Sequence, residues 1–314
     1  MKYSCLYLLP ILLCFCCNAK TNSNLDNSSY PKKVEGTISI VAIEDIEPDN
    51  SENIISINID SLKIYLSEAN NLRKKLEEEL KKASPEQAYS IYCSGSFLLN
   101  EEDFDHIKRL TSPVIDEWGS SVGYVSSEQS EEVLRLLEEE GFEPEYQGEG
   151  YAELRINAYH YYNIFSPYLS EENSEYMRIY AQNDNVITMD AGLIIPLSKL
   201  VERCIEWESY LNKYPNAQQR NEVALQYGQY LGSIMFCTEQ NTEAFDRNTK
   251  IVKEYVLESV KEAILQYPDS EATKIFKVYL LELEKSNYKY SEELEKKIFS
   301  TGILKEIDWK NIYY

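Results

Sequence analysis

Histidine is almost missing from this chain, with two in 314 residues, His106 and His160. That excludes a zinc site built on several imidazoles. Glycine is scarce as well, at 11 residues, and no stretch spells a Gly-rich phosphate loop or a Gly-x-Ser-x-Gly nucleophile turn. Cations are short: 31 Lys and Arg face 53 Asp and Glu, for a formal charge of -22. Such a surface repels nucleic-acid phosphates and anionic lipid heads and favours basic partners. Cysteine is thin beyond the N-terminus. Cys5, Cys14, Cys16 and Cys17 crowd the start, and the body keeps Cys93, Cys204 and Cys237. Three thiols allow at most one disulfide, and the body has no Cys-x-x-Cys pair to bind zinc. Cys204 and Cys237 fall in helix-like stretches, where the expected role is that of a small buried hydrophobe. No motif calls for a cofactor or a metal.

What is present begins with a leader. Lys2 precedes an apolar run over residues 6–17. The run is too short to span a bilayer comfortably and has the shape of a secretory signal. Its end, "LLCFCCN", resembles a bacterial lipoprotein signal, with cleavage before Cys17 and a lipid on that cysteine. Cleavage after Ala19 is the competing reading, and both export the protein. Residues 1–17 are thus expected to be removed up to Cys17. Residues 18–36 are Asn/Ser-rich and polar, the composition of a disordered tether.

Residues 37–157 read as a mixed, mostly helical region. A strand is expected over 36–46, where apolar and polar residues alternate. A helix is expected over 59–82, closed by Ser84-Pro85, and another over 101–110. A third opens at Ser127 or Ser130 and stops at Gly141. "YAELRIN" reads as a short strand. From 158 to 314 the apolar spacing is helical throughout, so this part is expected to be an all-helical domain. Ser170 is placed to cap one helix, Pro196 to stand in the first turn of another, and a last one begins near Ser291.

Two phrases in that part match: "YLNKYPNAQQRNEV" around Tyr214, Pro215 and Asn216, and "ILQYPDSEATKIF" around Tyr267, Pro268 and Asp269. In each, an amphipathic helix ends on Tyr and Pro stops it. Asn216, or Asp269 with Ser270, then offers an oxygen to cap the next helix. Each phrase is the turn of an antiparallel helical hairpin, and the two prolines stand 53 positions apart. The phrases resemble tetratricopeptide-like hairpins of bacterial envelope lipoproteins. That resemblance implies a mainly α, solenoid-like scaffold that holds envelope partners. The spacing differs from the 34-residue tetratricopeptide period.

Chemistry is harder to find. "YCSGSF", residues 92–97, resembles the nucleophile phrase of papain-like cell-wall peptidases. The resemblance implies Cys93 as nucleophile at a helix start, His160 as base and Asp190 or Asn163 as orienter. Tyr92 stands where that phrase has Asp, and Ser96 is inserted before Phe97. Asp103 and His106 would share a helix face, which reads as a solvated surface. Asp190, before a helix start, reads as a cap. The Tyr-rich run from Tyr159 to Tyr180 has the spacing of a core stripe. With 53 carboxylates, no acid pair can be singled out. The sequence thus points to an exported, lipid-anchored helical scaffold or binding protein of the bacterial envelope, with a cysteine peptidase as the alternative.

Overall fold

The computed structural model describes residues 55–120, 125–189, 192–237, 242–302 and 304. Cys17, the leader, the tether, the strand expected over 36–46 and Asp190 lie outside the described residues. Within them the chain is mainly α, with two small antiparallel strand pairs.

The order begins α1 (Ile59–Leu80), α2 (Pro85–Ser94), α3 (Glu101–Ser120) and α4 (Ser127–Glu139). The strands β1 (Phe142–Gly148) and β2 (Tyr151–Ile156) form a hairpin. There follow α5 (Ala158–Phe165), one turn of 3-10 helix (Ser166–Tyr168), α6 (Glu171–Gln182), β3 (Thr188–Met189) and β4 (Gly192–Leu193). The chain continues through α7 (Leu197–Lys213), α8 (Arg220–Phe236), α9 (Glu254–Gln266), α10 (Glu271–Lys285) and α11 (Glu292–Phe299).

Local chemistry explains the parts the sequence reading missed. Ser84-Pro85 closes α1 but also opens α2. Ser84 caps Gln87 in a reciprocal capping box with Pro85 in the first turn, and Gly95 ends the helix in the left-handed region, φ 63°. Helix α3 runs ten residues beyond the expected Leu110. Pro113 cannot donate to the carbonyl of Arg109, and the Ser112 hydroxyl donates to it instead, at 3.3 Å. Helix α4 is capped by Ser126, not Ser127 or Ser130. β1 pairs Glu143 with Arg155 and Phe142 with Ile156, so its period-two pattern was the unread signal.

Two hydrophobic cores result. One holds Leu62, Leu66, Ile107, Val114, Val133, Leu137, Phe142 and Leu154, between α1, α3, α4 and the β1–β2 hairpin. The larger one holds the buried faces of α5 to α11. The cores do not divide at residue 157. Leu76 and Leu80 of α1, Ala88 of α2 and Phe97 belong to the larger core, so α1 runs from one lobe into the other.

The two expected hairpins are present, α7 with α8 and α9 with α10. Their turns repeat. Tyr214 has φ -125°, ψ 68° and Tyr267 has φ -127°, ψ 59°. The N–H of Ala217 donates to Tyr214 at 3.1 Å, and that of Ser270 to Tyr267 at 3.2 Å. The caps differ in part from expectation. Asn216 is exposed and caps nothing; α8 starts after Gln219, without a side-chain cap. Of the expected pair Asp269 and Ser270, Ser270 caps α10 as expected and Asp269 does not. Val256, Val260 and Ala263 bury their face with Ile275, Phe276, Tyr279 and Leu283.

Residues 158–302 are not all helical. The β3–β4 pair interrupts them, and the connector before α9 makes isolated bridges, Phe245 with Val252 and Ile251 with Lys289. Asp246 turns that connector by accepting the N–H groups of Asn248 and Thr249. α7 starts at Leu197, after Pro196, with no side-chain cap.

The hairpins are locked by a buried acid. Glu208 of α7, 5% exposed, accepts the N–H of Glu271 at 2.7 Å and of Ala272 at 2.8 Å. The Tyr227 hydroxyl donates to it at 3.4 Å. With Ser270 taking the Thr273 N–H, three orphan donors of α10 are satisfied. A carboxylate there also faces the positive end of the helix dipole.

Candidate functional site

The seam between the lobes holds a cavity of about 250 Å³. Its walls are Ala69 from α1, Phe97, Leu98 and Leu99 from the loop after α2, Phe104 from α3, Phe142 and Ile156 from the paired ends of the β-hairpin, and Tyr161 from α5. Glu101 completes the lining. The left-handed cap at Gly95 reverses the chain so that Phe97 enters the larger core, against Tyr161 (ring centroids 4.9 Å) and Phe165 (5.1 Å). Phe104 stacks on Phe142 at 5.6 Å. Asn100 accepts the N–H of Asp103 and so opens α3 at Glu101. Burial pushes the Tyr161 phenol up to about 12, so it stays protonated at neutral pH.

The described residues of the peptidase reading lack its local setting, and Asp190 lies outside the described residues. Cys93 lies in the last turn of α2, where the helix dipole disfavours a thiolate, whereas that family opens a helix with its cysteine. His160 sits in the first turn of α5, and its backbone N–H is capped by Asn157 at 2.9 Å. Its Nε2 is buried with no hydrogen-bond partner. The ring covers Gly141, where a Cβ would come within 2.6 Å of it. Gly141 has φ +82°, a second reason for glycine there. Burial holds the imidazole below the usual histidine range, with Arg73 adding to the effect and Glu140 and Glu77 opposing it. Asn163 is exposed on α5.

Other sequence candidates are accounted for. His106 stacks on Tyr65 and lies 3.0 Å from Arg109, and Asp103 accepts from Asn100 at 2.6 Å. Among the described residues no group of three His, Cys, Asp or Glu is placed to hold a metal. Cys93, Cys204 and Cys237 are not disulfide-bonded. Tyr161, Phe165 and Tyr176 are buried, as a core stripe requires, while Tyr159 is exposed. The Tyr214 hydroxyl is held by Glu175 at 3.0 Å, and Pro215, Pro268 and Asp269 are exposed at the turns.

Sequence reading missed a polar cluster beside the cavity. Arg155 of β2 pairs with Glu143 at 2.5 Å, Glu145 at 3.0 Å and Asp184 at 3.3 Å. It ties the β-hairpin to the loop after α6, which Arg203 of α7 holds from the other side through the Asn183 carbonyl at 3.1 Å. Burial raises the Asp184 carboxyl to about 6; Arg155 opposes this, while Glu145 and Glu143 add to it. The Glu143–Arg155 pairing was latent in strand alternation, but the partner loop was not.

No protein-family model, curated protein or solved structure matches this chain. Among the described residues no helix is long and apolar enough to cross a membrane.

Proposed function

We propose that this protein is an exported, lipid-anchored helical binding protein of the bacterial cell envelope, in which the tetratricopeptide-like hairpin pair serves as a rigid body for partners. The observation that carries the binding reading is the seam. Its apolar walls suit reception of a ligand, while Cys93 stands at the wrong end of its helix for activation and burial against Gly141 disfavours the charged form of His160. The leader and polar tether support export and anchoring, with Cys17 as the lipid acceptor. The acidic surface supports basic envelope partners, with affinity that weakens as salt rises.

Labelled palmitate fed to expressing cells tests the anchoring. The wild type should take up label and fractionate with membranes, and Cys17→Ser should do neither. A cytoplasmic protein that retains Met1 would overturn the proposal. Capture from solubilised envelope, with the tether intact, should return partners in wild type and in Cys93→Ala alike. Loss of all cell-wall phenotype in Cys93→Ala alone would favour the peptidase.

A further inference from the structure

We infer that the seam cavity takes a small amine with an apolar body, about one aromatic ring carrying a short chain. This rests on the reading that the protein works by binding. An apolar cavity of about 150 Å³ already accepts benzene, so about 250 Å³ leaves room for the chain. Phe97, Phe104, Phe142 and Tyr161 supply ring faces and edges for an aromatic guest. Water in such a cavity finds few polar partners, so displacing it favours binding.

Charge sets the class of head group. Glu101 is the exposed lining residue, and it begins a run that continues with Glu102, Asp103 and Asp105. Of these, Asp105 lies one turn along the face of Glu101 and Asp103 accepts from Asn100, while Lys108, over the Phe104 ring at 5.1 Å, and Arg109 oppose them. The surrounding chain is itself strongly acidic. An ammonium at the mouth is attracted and a carboxylate repelled, in a partly enclosed site where the field is less screened than in bulk water. Fatty acids and other apolar anions are selected against by the same residues.

The test is calorimetric titration of the purified full-length protein with three probes sharing one ring: tryptamine, indole and indole-3-acetate. Tryptamine should bind tightest and indole-3-acetate about fivefold to tenfold more weakly, the range expected for an exposed charge. Glu101→Gln should shrink that ratio several-fold and leave indole unchanged. Ala69→Phe should plug the cavity and weaken all three by about tenfold or more, the loss expected from removing the apolar contact. Ala69 is buried, so Leu99→Trp at a part-buried wall serves as a second plug, with circular dichroism confirming the fold of each. No binding of any probe at millimolar concentration overturns the inference. So does equal or tighter binding of the anion, or binding that survives a folded plug. Tryptamine binding without lipid on Cys17 leaves this inference standing and sinks the anchoring; lipidation without tryptamine binding does the reverse.

Discussion

Replacing Glu208 by Ala removes a buried side chain that ties α7 to the start of α10. Two backbone N–H groups, of Glu271 and Ala272, lose an acceptor at 2.7 and 2.8 Å, and the Tyr227 hydroxyl loses its bond at 3.4 Å. Loss of a helix cap costs about 0.5–2 kcal/mol. A buried donor left unsatisfied costs about 1–3 kcal/mol. Water can reach Glu271, which is part-buried, more readily than Ala272, which is fully buried. One cap and one orphaned donor therefore set the expected loss, about 2–4 kcal/mol. Glu208→Gln should lose less but not nothing, because its single carbonyl oxygen serves one N–H while its own amide group faces the other. The assay is urea unfolding followed by tryptophan fluorescence, with hydrogen exchange of the α10 amides as the local readout. A cycle with Tyr227→Phe separates the hydroxyl from the backbone donors. If Glu208→Ala unfolds within about 0.5 kcal/mol of wild type, the spread of an ordinary surface change, and α10 exchange is unaltered, the buried cap is not a source of stability.

The remaining expectations are shorter. A carboxyl held above its unfolded range binds its proton more readily when folded, so Asp184 should make stability rise as pH falls through about 6 toward 4. The contribution is on the order of 3 kcal/mol across that window, and Asp184→Asn should flatten it; urea midpoints at pH 7, 6 and 5 that change equally in both proteins would refute this. Gly141→Ala should cost about 2 kcal/mol or more, since φ is +82° and the new methyl meets the His160 ring. Adding His160→Ala should recover part of that loss, and no recovery in thermal unfolding would deny the contact. Phe276→Ala, at a fully buried site of the hairpin core, should cost about 3–5 kcal/mol in the same urea assay.

The sequence by itself determined what depends on neighbours three or four positions apart. The caps at Ser170 and Ser291, the tyrosine stripe and the two Tyr-Pro turns all follow from local chemistry, and the turns repeat their backbone angles. Helix α2 follows in the same terms from Ser84, Pro85, Gln87 and Gly95, although Pro85 reads first as the stop of α1. The expected leader and tether rest on composition alone and lie outside the described residues. Only the tertiary structure decided the long-range pairings. Glu208 meets α10 across 63 and 64 positions, and Arg155 reaches Asp184 across 29. Nothing in the pattern of a -22 chain distinguishes those acids from the others. The same holds for the cavity, whose walls come from α1, the loop after α2, α3, the β-hairpin and α5. Periodicity tells a residue which face of its own helix or strand to occupy. It does not say which distant face will lie opposite, because that choice rests on the packing of whole elements, and there the surroundings of Cys93, His160 and Glu101 were set.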